Sequence, residues 1–174
     1  ILEEAFRRGP VKAGPDDLFT LRAIKIYADG ALGSRGAHLK APYSDDPHNT
    51  GLVVTAMRDV EEISRKALAA GFQVSTHAIG DAANRDVLEA YARAGVTPAA
   101  RFRIEHAQIV DLADIPRFAQ LGIIASMQHP RHERHALGRE ARGPRTPRRR
   151  LRLASLSRRR GSPGVRERLP GGAQ

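Results

Sequence analysis

The 174-residue sequence contains no cysteine, which excludes disulfides and thiolate metal sites and leaves nitrogen and oxygen as the only donors for any bound ion. It contains no tryptophan and only eight tyrosines and phenylalanines together, none of them from 129 to 174, so its most basic stretch lacks the interleaved aromatics of a base-stacking surface. No apolar stretch approaches the roughly 18 to 20 residues of a membrane-spanning helix, the longest candidates being broken by charge. A basic region followed by an apolar run and a small-residue cleavage site is also missing from the front. The sequence therefore predicts a soluble protein without a membrane partner, with the cytoplasm as the expected compartment. The chain opens on Ile1 rather than Met, and an internal piece of a longer protein is expected.

Acidic residues are scarce in one place only. The net charge is +10, but from 129 to 174 there are 14 Arg, no Lys and 3 acidic residues, whereas the rest has 15 basic and 16 acidic residues. Two segments are expected: a balanced globular part, 1–128, and an Arg-, Pro- and Gly-rich tail, 129–174, without helix or strand period and disordered. The tail gives the one competing function, a basic nucleic-acid-binding protein with steep salt dependence. Its lack of aromatics speaks against specific recognition.

In the first segment, Ala23-Ile24-Lys25-Ile26-Tyr27-Ala28 reads as a strand that feeds a loop containing Gly30, Gly33 and Gly36. Residues 60–70 put Val60, Ile63, Ala67 and Leu68 at helical spacing, with Asp59 as cap and Gly71 as stop. Phe72 to His77 resumes a strand. A helix from Asp81 carries Val87, Leu88 and Tyr91 on one face and stops at Gly95. A strand over 101–108, a helix over 112–121 and a strand over 123–127 follow. The alternation predicts an α/β fold with parallel strands, interrupted only by a long excursion over 37–55.

Position within the strands carries the functional reading. Lys25 lies within the first strand, His77 ends the second and His106 lies near the end of the third, so all three are expected at the carboxyl rim, where parallel α/β folds place their chemistry. Two imidazoles and a further nitrogen or oxygen donor suit zinc or a similar divalent ion, with an open position for water. Alone, either histidine is better explained as a hydrogen-bonded structural residue, whereas for Lys25, a costly charge inside an apolar strand, an ion pair with Asp29 and a ligand role stand level. Glu105 is expected on the opposite side of its strand from His106, between sheet and helices. The Gly30–Gly36 turn lacks the Walker ending and the dinucleotide glycine spacing, which leaves close backbone approach to a substrate as its use. His38 and His48 are expected to be solvated in the loop. The triplet His129, His132 and His135 is read as an accident of the Arg-rich setting.

Taken together, Lys25-Ile26-Tyr27-Ala28-Asp29-Gly30-Ala31-Leu32-Gly33-Ser34-Arg35-Gly36-Ala37, His77-Ala78-Ile79-Gly80-Asp81-Ala82-Ala83 and Arg103-Ile104-Glu105-His106-Ala107-Gln108 resemble the amidohydrolase superfamily, in particular the branch that includes N-substituted formamide deformylases. The resemblance implies a (β/α)₈ TIM barrel of which this chain carries strands four to seven, with Lys25, His77, His106 and Met127 on successive strands. It implies metal ligation by Lys25, His77 and His106, the lysine carboxylated, around one or two divalent ions, zinc being expected. It also implies hydrolysis of a non-peptide C–N bond in a small-molecule substrate. The first-strand His-x-His and the eighth-strand Asp of the family are absent, so the piece is expected to be inactive alone. Half a barrel also leaves open strand edges that favour aggregation. Finally, back-translating 132–138, 150–155 and 166–173 with GC-rich codons and reading one nucleotide later yields family-like words, among them Gly-Ser-Asp. A frameshift close to Gln128 is therefore expected, testable by sequencing the DNA across that junction.

Overall fold

Alternation of β-branched and other residues in β1 (Ala23–Tyr27) buries Ile24 and Ile26 and leaves Ala23, Lys25 and Tyr27 on the other face, as period-two side-chain geometry dictates. The computed structural model describes residues 1–16 and 18–127. The expected boundary at Gln128, the tail and its three histidines lie outside the described residues. Three further strands follow, β2 (Gln73–Ala78), β3 (Arg103–His106) and β4 (Ile124–Ser126). They form one parallel sheet in the order β1-β2-β3-β4, so the expected α/β alternation holds and each strand neighbours its successor.

The intervening helices are α2 (Met57–Ala70), α3 (Asp81–Arg93) and α4 (Ile115–Leu121). An additional short helix, α1 (Leu2–Arg8), was not evident from the sequence because its few apolar positions bury nothing fully. The first turn of α2 starts earlier than its apolar spacing suggests: Ala56 occupies the cap without a side-chain hydrogen bond, and Asp59 lies inside the helix. Gly71 and Gly122 close α2 and α4 in the left-handed conformation, at φ 81° and 67°, where a side chain would be strained.

Among the described residues, helices cover a single face of the sheet. Ile24, Ile26, Val74 and Ile104 pack there against Val60 and Ala67 of α2, Val87 and Leu88 of α3 and Phe118 of α4. Each such fully buried aliphatic side chain contributes about 1.5–3 kcal/mol. Tyr91 of α3 reaches into this layer, its ring edge-on to Phe102 with centroids 5.2 Å apart. Its hydroxyl lies 2.7 Å from Thr76 Oγ1 and donates to the Arg103 carbonyl at 3.0 Å.

Burial pushes the Tyr91 phenol far above its ordinary pKa, outweighing the opposing hydrogen bond from Thr76. An unfolded tyrosine ionises near about 10. Above that pH the unfolded chain loses the proton first and stability falls; below it the contribution is complete. Tyr91→Phe should lower stability at neutral pH by about 1–3 kcal/mol by orphaning buried partners and should flatten the alkaline limb. Urea midpoints recorded from neutral pH to pH ~11 check both; an unchanged alkaline slope would show that the phenol is not the titrating group.

Candidate functional site

The uncovered face of the sheet presents a chain of ring and charge contacts toward the carboxyl rim. Lys25 Nζ stands 4.7 Å from the centroid of the Tyr27 ring, within cation–π range. Tyr27 lies 5.3 Å from the His77 ring, and His77 lies 4.7 Å from the His106 ring at an interplanar angle of 69°. All three residues singled out by the sequence thus face the same side, with Tyr27, which sequence reasoning missed, between the amine and the imidazoles. Its place two residues after Lys25 in an alternating strand was the available signal.

The path by which His106 reaches this face differs from the expectation. Register pairs Tyr27 with His77 and His77 with Glu105, while His106 pairs with the fully buried Ala78. A regular pleat would therefore send His106 toward the helices. Its backbone instead turns left-handed, with φ 72° at His106 and 39° at Ala107, an uncommon conformation for residues other than glycine. The ring is thereby brought against His77. Glu105 is consequently not between sheet and helices. It shares the open face, where Arg103 Nε donates to its Oε1 at 2.7 Å and Arg103 Nη2 also donates to Ser126 Oγ at 2.6 Å.

Asp29 does not pair with Lys25. It is 1% exposed and accepts from the backbone N–H groups of His38 at 3.0 Å, Ile79 at 2.9 Å and Gly80 at 2.8 Å. Asn84, also fully buried, donates from Nδ2 to the carbonyls of Ala78, Gly80 and Ile109. These two side chains lock the ends of β1, β2 and β3 together from below. The Gly30–Gly36 turn is closed on itself, Gly30 N donating to the Gly36 carbonyl at 3.0 Å. A Cβ on Gly30 would meet Gly36 at 3.1 Å, so closure of the turn itself requires a glycine there. His48 is exposed as expected, but His38 is half-buried with Nε2 3.8 Å from Asp86 Oδ2.

The nitrogen donors on this face are of a kind that divalent cations accept. Burial lowers the pKa of His77, assisted by His106 and Lys25 and opposed by the Gly30 carbonyl and Asp29, which favours the neutral imidazole that ligation needs. Burial also lowers the pKa of Lys25, opposed by Glu105, which raises its population of free amine. Among the described residues no group of three or more His, Cys, Asp or Glu could hold a metal ion, so the donors at hand are two imidazoles and one amine. No helix among the described residues is long and apolar enough to cross a membrane.

Comparison with known proteins agrees with this chemistry. The family model described as "Amidohydrolase family" matches residues 2–156, extending past the boundary expected at Gln128. The putative amidohydrolase YtcJ of Bacillus subtilis is 42% identical over 61% of this chain and 20% of its own length. The protein LONG AFTER FAR-RED 3 of Arabidopsis thaliana is 44% identical over 62% of this chain and 19% of its own. Two solved structures, uncharacterised metal-dependent hydrolases from Pyrococcus furiosus and Pyrococcus horikoshii OT3, superpose with TM-scores of 0.63 at 31% and 32% identity. They cover 70% of this chain and 25% and 24% of theirs. The chain thus spans about a fifth of the length of these curated relatives. Nothing in these matches supports a nucleic-acid-binding protein.

Proposed function

Because the chain belongs to the amidohydrolase family, we propose that Lys25, His77 and His106 are its contribution to the metal centre of a hydrolase that acts on a non-peptide C–N bond of a small molecule. The observation that carries this reading is the approach of the His77 and His106 rings to 4.7 Å at the ends of neighbouring parallel strands. A bound divalent ion, zinc on this donor set, supplies Lewis acidity and a water of lowered pKa. The chain's own residues supply the rest. His77 and His106 offer neutral nitrogen donors. The partly desolvated amine of Lys25 is suited to combine with carbon dioxide, forming an N–C bond and releasing a proton to become an anionic oxygen donor. Arg103 balances the charge of Glu105 beside it, so the open face does not become strongly anionic.

A closed (β/α)₈ barrel is the architecture proposed for the longer protein. Two features support it: among the described residues the strand order never reverses, unlike that of a doubly wound sheet, and helices cover one face alone. The tail is proposed to be out of frame beyond Gln128, and the substrate to be of the kind handled by N-substituted formamide deformylases, on the motif resemblance alone.

Titration of the chain with Co²⁺, followed by paramagnetic broadening of histidine ring resonances, tests the metal assignment. His77 and His106 should broaden together and before His38 and His48. Substituting alanine for His106 should weaken Co²⁺ binding at His77 by at least about tenfold, the lower end of the loss seen when even outer-shell partners of a ligand are removed. Broadening that begins at His38 or His48 would end the assignment.

A further inference from the structure

The ring nitrogen Nε2 of His77 has two acceptors beside it. Asp29 Oδ1 lies at 3.3 Å and the Gly30 carbonyl oxygen at 3.5 Å. A lone pair on Nε2 would be set against both oxygens, whereas a proton there is donated to the Gly30 carbonyl and lies in the field of the Asp29 carboxylate. The carboxylate is itself immobile: three backbone N–H groups from two separate segments, His38 on one side and Ile79 and Gly80 on the other, fix its two oxygens. No water is needed to explain its burial, and asparagine cannot replace it, because an amide nitrogen would face a backbone donor.

We propose that Asp29 is a positioning residue for the site, holding the His77 imidazole in one orientation with the proton on Nε2 and the lone pair on Nδ1. Carboxylate partners fix tautomer and ring orientation of metal-binding histidines in this way in many proteins. Here the same carboxylate also ties the ends of β1 and β2 to the start of the 37–55 loop. Ring orientation is thus coupled to the closure of that loop. The inference rests on the reading of His77 as a metal donor for its functional meaning, but the tautomer is measurable without metal.

The experiment is a long-range ¹H–¹⁵N correlation spectrum of the full chain, histidine rings labelled, in the presence of a chelator, with the His77 signals assigned from a His77→Gln sample. The wild-type ring should show a single tautomer, protonated on Nε2. In Asp29→Asn its two nitrogen shifts should move toward those of the exposed His48 ring in the same spectrum, while Asp29→Glu should restore part of the difference. A wild-type ring protonated on Nδ1 overturns the proposal even if the variants do not fold. So does an Asp29→Asn spectrum unchanged at His77, which would assign the tautomer to the Gly30 carbonyl alone. Adding Co²⁺ to the wild type separates the two readings. A single Nε2-protonated tautomer without selective broadening removes the metal centre and leaves Asp29 in its orienting role. Selective broadening with an Nδ1-protonated ring does the reverse.

Discussion

Gly80→Ala is expected to yield a chain that does not reach the native fold. A Cβ at this position would sit 1.7 Å from the His38 carbonyl oxygen, 2.4 Å from its carbon and 2.8 Å from its nitrogen. All three atoms are backbone, so no rotamer change relieves the overlap. The two segments cannot part without loss, because Asp29 accepts from both His38 N and Gly80 N and Ala83 N donates to the His38 carbonyl. Overpacking of an ordinary core costs about 1–3 kcal/mol, and a clash against fixed backbone should reach or exceed the upper end. Gly33→Ala is the control, since nothing lies within 4 Å of its added Cβ; its stability should stay within about 0.5 kcal/mol of wild type. Urea denaturation of both by circular dichroism decides, and a Gly80→Ala midpoint equal to that of Gly33→Ala would mean that the two segments are not in contact.

Asp114→Ala should be the next most damaging change. Asp114 is 2% exposed and is the hub of three cations from three segments. Lys40 Nζ donates to it at 3.1 Å, Arg85 Nε at 3.0 Å and Arg117 Nη1 at 3.3 Å. Though it stands at the start of α4, it makes no side-chain cap there. Removing it leaves the three cations with weaker partners, Asp111 at 2.9 Å from Lys40 and 3.9 Å from Arg85, and Glu89 at 3.6 Å from Arg117. The cations keep some contact with solvent, so the loss should be about 2–3 kcal/mol rather than the roughly 3–5 of a fully buried pair. Burial raises the Asp114 pKa, but the hydrogen bonds from Arg85 and Lys40 outweigh it and the net shift is downward. Its contribution is therefore complete above the unfolded carboxylate value of about 3.9 and is lost as pH falls through the lower folded value. Wild type and variant should differ most at neutral pH and converge in acid. A gap in midpoints that does not shrink in acid would show that lost packing, not charge, is responsible.

The frame was legible wherever a single local rule decided it. Alternation at Ile24, Lys25 and Ile26 and helical spacing at Val87, Leu88 and Tyr91 translate directly into the observed faces. Convergence of Lys25 and His77 on one side followed from strand geometry as well. Glu105 was misplaced because strict alternation was applied through His106, where the backbone turns left-handed and no glycine marks the turn. Asp29 was misassigned for a different reason. Its partners His38, Ile79 and Gly80 are backbone groups up to 51 residues away, and a carboxylate that serves main-chain donors has no signature in side-chain types. Asn84 escaped notice on the same ground. Local patterning thus located the strands and the rim, while the side chains that brace the rim depend on long-range closure.

The want of tryptophan gives the exposed ring on β1 a practical value. Ultraviolet emission falls to three phenols, of which Tyr43 and Tyr91 are 1% and 0% exposed and Tyr27 is 53% exposed. Quenchers dissolved in the solvent reach Tyr27 and not the other two. Because Tyr27 touches both Lys25 and His77, its fluorescence should respond to any change in the surroundings of those two side chains, carried by the native sequence without any label.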